Sequence, residues 1–220
     1  MSDAADAVLA WEVVVLAGGG SRRMGRDKAT LDVAGVSLLD RTLAGVPADV
    51  VVIVAGPPVA VARPGVRFVQ EDPPGGGPVA GVAAALTAVT AAVVVILATD
   101  LPLVGTLPTA LVHALLDSDD GVRASDAVLA VDASGRAQQL CGAYRSDALR
   151  RAIADGGSAH GAAMRSVVGR LNTASLSVVA LREARGETVE VDPTWDIDTP
   201  EDLHALNDLF DLFDQGATDH

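Results

Sequence analysis

The sequence predicts an α/β domain in three layers, α-β-α, with helices covering both faces of a mostly parallel sheet. Three observations carry that expectation. The strand-like segments are unbroken, Val-rich apolar runs rather than alternating ones, the pattern of strands covered on both faces. Segments of helical character fall between them, so strand and helix alternate along the chain. Half of the 220 residues are hydrophobic but only 3% are aromatic, so a large core must be built from Val, Leu, Ile and Ala.

Strands are expected at 11–16, 50–54 and 93–97, each bounded by Gly, Pro or Asp. Helices are expected at about 38–46, 79–89 and 108–116. Between Asp72 and Asp100 no residue is charged, a stretch longer than the roughly 20 residues a membrane helix needs. Pro73, Pro74, Gly75, Gly76 and Gly77 occupy its start, however, and its end turns β-branched. It therefore reads as a helix followed by a buried strand, not as a span. The second half offers strands at 127–131 and 140–144 and helices at 147–154 and 162–171, broken by Asp155, Gly156 and Gly157. Segments 178–181 and 188–191 suit short edge strands. In the last helix Thr199 is the cap, Pro200 takes the first helical position and Asp202 the third. The expected organisation is a single domain over 8–206, with 207–220 as the end of the last helix and an acidic tail.

Formal net charge is −13, and its distribution is uneven. After Arg185 there are 11 acids and no Lys or Arg, whereas residues 1–185 hold 18 acids against 16 bases. A pI near 4.5 argues against non-specific nucleic-acid binding, which needs a positive surface to displace counterions. The scarcity of aromatics also leaves few platforms for stacked bases. Cys141 is the only cysteine, so no internal disulfide and no Cys-based zinc cluster can form. A reduced, cytoplasmic setting is expected, and the acidic start MSDAADAVLA lacks the basic flank of an export signal.

The most informative segment is LAGGGSRRMGRDK, running from Leu16 and Ala17 to Lys28 directly after the first strand. Gly18, Gly19 and Gly20 allow a turn whose bare N–H groups form an anion nest. Arg22, Arg23, Arg26 and Lys28 surround it with cations. Together these describe a polyphosphate site, against the plainer alternative of a tight structural turn. A Walker A loop would end in Gly-Lys-Ser/Thr, but Arg26 follows Gly25; the dinucleotide fingerprint would need Gly where Arg23 stands. Lys28 is the only lysine in a chain that otherwise uses Arg, and it supplies a compact point charge where Arg would be a rigid fork.

This segment resembles the N-terminal signature of the nucleotidyltransferases of molybdenum cofactor biosynthesis, most closely the molybdenum cofactor guanylyltransferases. Later segments resemble further motifs of the family in the right order, over roughly 13–206. The resemblance implies a Rossmann-like sheet of the nucleotidyltransferase type. It implies that Leu16, Ala17, Gly18, Gly19, Gly20 and Lys28 bind nucleotide, with Asp72, Gly77 and Gly81 of the second glycine-rich segment lying toward the base. A solvated turn with Asp72 as a local cap is the alternative there.

Asp100 follows the most apolar strand and precedes Leu101-Pro102. Ligands of open α/β sheets bind beyond the carboxyl ends of strands, and a carboxylate there suits Mg²⁺, which takes one or two carboxylates with phosphate and water oxygens. The family's metal-binding aspartate stands at this position. Asp198 is a second candidate metal contact, although capping of the last helix also accounts for it. The segment Gln138 to Arg145 resembles the family's acceptor region, with Gln139 in place of the usual Pro. Ala55 stands where relatives often carry a nucleotide-contacting Asn. Cys141 reads as a packed strand residue, and the four histidines are assigned no chemistry.

The expected reaction is Mg²⁺-dependent nucleotidyl transfer, with Arg23, Lys28 and Asp100 as the catalytic groups. By resemblance the donor is GTP and the acceptor is molybdopterin-bound molybdenum, giving the guanine dinucleotide cofactor. The resemblance also allows transient contact with molybdenum cofactor biosynthesis proteins or molybdoenzymes. The chain is expected to act as a monomer or small homo-oligomer, without membrane or nucleic acid. The alternatives are the same chemistry with CTP or a sugar phosphate, a nucleotide-binding module without turnover, and, least favoured, a nicotinamide oxidoreductase.

Overall fold

The computed structural model describes residues 10–18, 28–118, 124–178, 180–184 and 187–217. In chain order its strands are β1 (Trp11–Leu16), β2 (Asp32–Val33), β3 (Val36–Ser37), β4 (Val51–Ala55), β5 (Arg67–Val69), β6 (Val93–Ala98), β7 (Ala127–Val131), β8 (Ala137–Arg145), β9 (Thr173–Ser177), β10 (Ala180–Ala184) and β11 (Glu187–Val191). The helices are α1 (Leu38–Ala44), α2 (Pro78–Leu86), α3 (Leu107–Asp117), α4 (Ser146–Ala154), α5 (Met164–Val168) and α6 (Pro200–Ala217), with a 3-10 turn at Lys28–Thr30.

Seven strands form the central sheet in the order β5-β4-β1-β6-β8-β7-β9. All neighbours pair in parallel except β8, which runs antiparallel to both β6 and β7. Successive side chains of a strand point to opposite faces, and both faces here are covered. Val13, Val15, Val52, Val54, Val95 and Leu97 pack with Leu39 and Leu43 of α1 and Leu111 and Leu115 of α3. Their alternates Val14, Ile53, Val94 and Ile96 pack with Val82 and Leu86 of α2, Leu149 of α4 and Met164 of α5. This double coverage is why the strands read as continuous apolar runs. A third cluster joins Leu31, Val33 and Leu38 to Ile197, Leu206 and Phe210. It fixes α6 against the small β2–β3 hairpin, where Asn207 Oδ1 accepts from the Ala34 amide at 2.8 Å.

Several expectations change. The helix expected over 162–171 shrinks to α5, and the strand expected over 140–144 grows to nine residues. The segments expected as edges of the sheet instead pair with each other as β10 and β11 in a separate antiparallel ribbon. One edge of the sheet, opposite β5, is β9, whose sequence TASLS is too polar to read as a buried strand. It pairs along one side only, with β7. As expected, the last helix runs on past 206, and Phe210 in it is buried. Among the described residues no helix is long and apolar enough to cross a membrane.

Candidate active site

The carboxyl ends of β1, β4 and β6 finish in register: Leu16 pairs with Ala55 on one side and Ala98 on the other. The chain is stitched together just beyond. Ala17 N–H donates to Ala55 O at 2.9 Å, and Gly56 N–H to Val69 O at 2.8 Å. Thr99 donates to Leu16 O from its amide at 3.1 Å and its hydroxyl at 2.6 Å. Three loops therefore leave the sheet side by side. One carries Ala17 and Gly18, one carries Gly56, and one carries Asp100. Parallel strands force this convergence, because every β-to-α connection emerges at the same end of the sheet.

Asp100 is half-buried, and the residues after it are anchored in the core, Leu103 and Val104 being 1% exposed. The Ile197 amide donates to Asp100 O at 3.2 Å. That bond brings the segment before α6 onto the end of β6, so the backbone next to Asp198 lies against Asp100 although the two are 98 positions apart in the chain. Asp202 and Thr199 build the α6 cap. Asp202 Oδ2 accepts from the amides of Asp198 at 3.1 Å and Thr199 at 2.8 Å, and Thr199 Oγ1 accepts from the Asp202 amide at 3.1 Å. Carboxylates on these two adjoining segments are hard-oxygen donors of the kind Mg²⁺ takes alongside phosphate and water oxygens. Among the described residues no group of three or more His, Cys, Asp or Glu could hold a metal by itself.

Asp72 lies three residues beyond β5, at the same end of the sheet, and is exposed. Glu71, not Asp72, holds the turn, accepting from the Gly75 amide at 3.0 Å. Gly77 caps α2 with φ +83°, a conformation that favours glycine, and no side chain hydrogen-bonds this helix start. Gly81 lies where α2 passes the sheet ends, since a Cβ there would sit 3.3 Å from Leu16 Cδ2 and 3.7 Å from Ala55 Cβ. The structure thus gathers Leu16, Ala17, Gly18, Asp72, Gly77, Gly81, Asp100 and Asp198 along one end of the sheet. Gly19, Gly20 and Arg23, with Arg22 and Arg26, lie outside the described residues, and of Lys28 only the backbone, at the start of the 3-10 turn, is described.

The segment compared with the acceptor region lies alongside. β8 pairs Cys141 with Leu97, and its register against β7 shifts between Leu129 and Ala130. Such irregularities re-aim side chains beside active sites. The irregularity is held internally by the Tyr144 hydroxyl, which donates to Gln139 O at 2.6 Å, and by Gln138 Nε2, which donates to Asp132 Oδ2 at 2.7 Å. Cys141 is fully buried; burial, then the nearby Asp192 charge, pushes its thiol up to about 12, so it is a packing residue and no nucleophile. Sequence reasoning missed Gly56 and Thr42. A Cβ at Gly56 would meet Ala17 C at 3.0 Å. A glycine directly after a strand was the available signal for the first; nothing local marks the second.

The model of the MobA-like NTP transferase domain matches residues 13–174. A probable molybdenum cofactor guanylyltransferase of Nostoc sp. is 34% identical over 207 residues, covering 90% of this chain and 91% of that protein. Another, of Pelotomaculum thermopropionicum, is 39% identical over 94 residues, covering 41% of this chain and less than half, 45%, of that protein. Among solved structures, the molybdopterin-guanine dinucleotide biosynthesis protein A of Archaeoglobus fulgidus superposes with a TM-score of 0.65 at 20% identity, covering 91% of this chain and 98% of that one. That likeness bears on the fold, and it agrees with the mostly parallel three-layer architecture. A family match over most of the chain, a relative aligned along nearly its whole length and this sheet agree: the chain is a nucleotidyltransferase and belongs to the MobA-like NTP transferase domain family.

Proposed function

We propose that this chain transfers GMP from GTP to the terminal phosphate of molybdenum-bearing molybdopterin, forming the guanine dinucleotide cofactor and releasing pyrophosphate. The observation that carries the chemistry is the backbone bond of Ile197 to Asp100, which sets the segment of Asp198 at the end of β6 beside the loop that begins at Ala17. The choice of donor and acceptor is supported by the naming of the near-full-length Nostoc relative as a probable molybdenum cofactor guanylyltransferase.

In the reaction an acceptor phosphate oxygen bonds to the α-phosphorus of GTP as the bond from that phosphorus to the β-bridging oxygen breaks. Pyrophosphate leaves with the electron pair. No covalent enzyme intermediate is needed, so the protein's contribution is positioning and charge stabilisation. Asp100 and Asp198 would hold Mg²⁺, which supplies neutralisation of triphosphate charge. Amides of Gly18, Gly19 and Gly20 bind the β and γ oxygens. Lys28 and Arg23 stabilise the charge that grows on the α-phosphate and the departing pyrophosphate. The α2 start, with its uncapped amides and Gly77, lies toward the base, with Asp72 as an acceptor for guanine N–H donors. The Gln138–Gln139 end of β8 borders the acceptor.

The test is pyrophosphate release with each of the four triphosphates, with and without molybdopterin, across a Mg²⁺ titration. A GTP-selective, acceptor-dependent signal is expected. Selectivity for CTP, turnover with a sugar phosphate instead, or triphosphate binding without release would each overturn the assignment.

A further inference from the structure

The loop that carries Asp100 is held from beneath by a residue that the reaction itself does not use. Thr42 lies in the middle of α1 and is fully buried. A buried threonine within a helix ordinarily turns its hydroxyl back to the carbonyl four residues earlier, and Leu38 O is 3.1 Å from Thr42 Oγ1. Two further carbonyls converge on the same hydroxyl, Thr99 O at 3.0 Å and Leu101 O at 3.4 Å. These are the residues either side of Asp100. Both carbonyls lie beyond the last residue of β6, outside the sheet ladder, and Thr99 and Leu101 are 4% exposed. Buried carbonyls need partners. A hydroxyl with one proton cannot serve three oxygens fully at once, so it holds the turn at the point where their directions meet.

The turn is pinned from two other elements as well. Thr99 is bonded to the end of β1 through Leu16 O, and Asp100 O accepts from Ile197 before α6. Those contacts fix the chain on either side of the sheet end; the Thr42 hydroxyl fixes the pitch of the Asp100 backbone between them. Valine would fill the same volume in α1, so packing alone does not call for a hydroxyl here.

We propose that Thr42 is a positioning residue for the Asp100 carboxylate, its buried hydroxyl tying the carbonyls of Thr99 and Leu101 to α1 so that Asp100 presents its oxygens to a divalent cation. The proposal rests on the reading of Asp100 as a metal-holding group. Supporting groups of this kind change metal affinity by roughly 10–100-fold when removed.

The test is Mn²⁺ binding to the full chain, followed by the loss of the free-ion electron paramagnetic resonance signal, with and without a non-hydrolysable GTP analogue. Thr42→Val should weaken binding about tenfold or more, while Thr42→Ser, which keeps the hydroxyl, should stay within about twofold of the parent. In turnover, Thr42→Val should need more Mg²⁺ for half-maximal rate and recover at saturating metal. If Thr42→Val does not fold, Thr42→Cys, with similar volume and only a weak donor, takes its place. Parent-like Mn²⁺ affinity in the Val or Cys variant, or no recovery with Ser, would overturn the proposal. Asp100→Asn separates the two levels. Unchanged Mn²⁺ binding in that variant would remove the metal reading and this inference together; loss of binding there with parent-like Thr42→Val would remove this inference alone.

Discussion

Replacing Gly56 by alanine should displace the start of the proposed nucleotide loop without altering Arg23, Lys28 or Asp100. Gly56 follows β4, and its amide is bonded to Val69 O. A Cβ there would lie 3.0 Å from Ala17 C, 3.1 Å from Ala17 O and 3.3 Å from Ala17 Cβ. Carbon atoms pack best at about 3.5–4.0 Å, so Ala17 must retreat by roughly half an ångström. It cannot do so by rotating a side chain, because two of the three atoms are backbone and Ala17 N–H is bonded to Ala55 O. Overpacking of this kind costs about 1–3 kcal/mol. For a chain of this length that corresponds to a fall in Tm of roughly 3–10 °C. Because Ala17 begins the loop, the displacement should also raise KM for the triphosphate more than it lowers kcat. Gly18→Ala is the control for steric cost, since its Cβ would meet Ala55 O and Gly56 Cα at an ordinary 3.6 Å. It should melt close to the parent. Thermal melts and initial-rate titrations of the triphosphate decide the matter. A Gly56→Ala protein with parent Tm and parent KM would refute the reasoning.

Lys28→Ala and Asp100→Ala should each lower turnover by roughly 10²–10³ while far-ultraviolet circular dichroism stays native; near-normal turnover in either would remove that residue from the proposed machinery. Arg63 joins the end of α1 to the segment after it, donating to Val46 O at 2.7 Å, Pro47 O at 2.6 Å and Val50 O at 2.7 Å. Arg63→Ala should cost about 2–3 kcal/mol after allowance for its partial exposure; Lys should recover little, because one ammonium cannot span the three acceptors. With its thiol near 12, native Cys141 should react with a thiol reagent at pH 8 only as fast as the chain opens, and reaction at the rate of a free thiol would contradict its burial. Asp132 is held down to about 2 from 3.8, first by the Ser134 hydroxyl and then by the Arg136 amide. A folded-state value below the unfolded one favours the fold above about pH 4, and that contribution fades as pH falls through 2. Melts of Asp132→Asn should therefore lie below the parent at neutral pH, with the gap closing in acid.

The strand runs were legible because each was covered on both faces. Residues 11–16, 93–98 and 127–131 carry apolar side chains of both parities, and both parities found helices to pack against. The last helix was legible for a different reason, since Thr199, Pro200 and Asp202 are local capping chemistry that needs no tertiary partner. β9 was not legible, because Thr173, Ser175 and Ser177 are exposed along a sheet edge that pairs on one side only. Nor was the β10–β11 ribbon, whose strands satisfy each other away from the main sheet.

Periodicity and end-of-strand chemistry lie within a few residues of one another, so the sequence by itself determined the layered architecture, the glycine loop and the candidacy of Asp100. It could offer Asp198 only as a cap or a contact, and it offered nothing for Thr42 or Gly56. Those three depend on chain segments tens of residues apart meeting at one end of the sheet: Ile197 on Asp100, α1 beneath the turn after β6, and the end of β4 against Ala17. Such contacts follow from how parallel strands bring their loops to one side, and only the folded arrangement decides which loops touch.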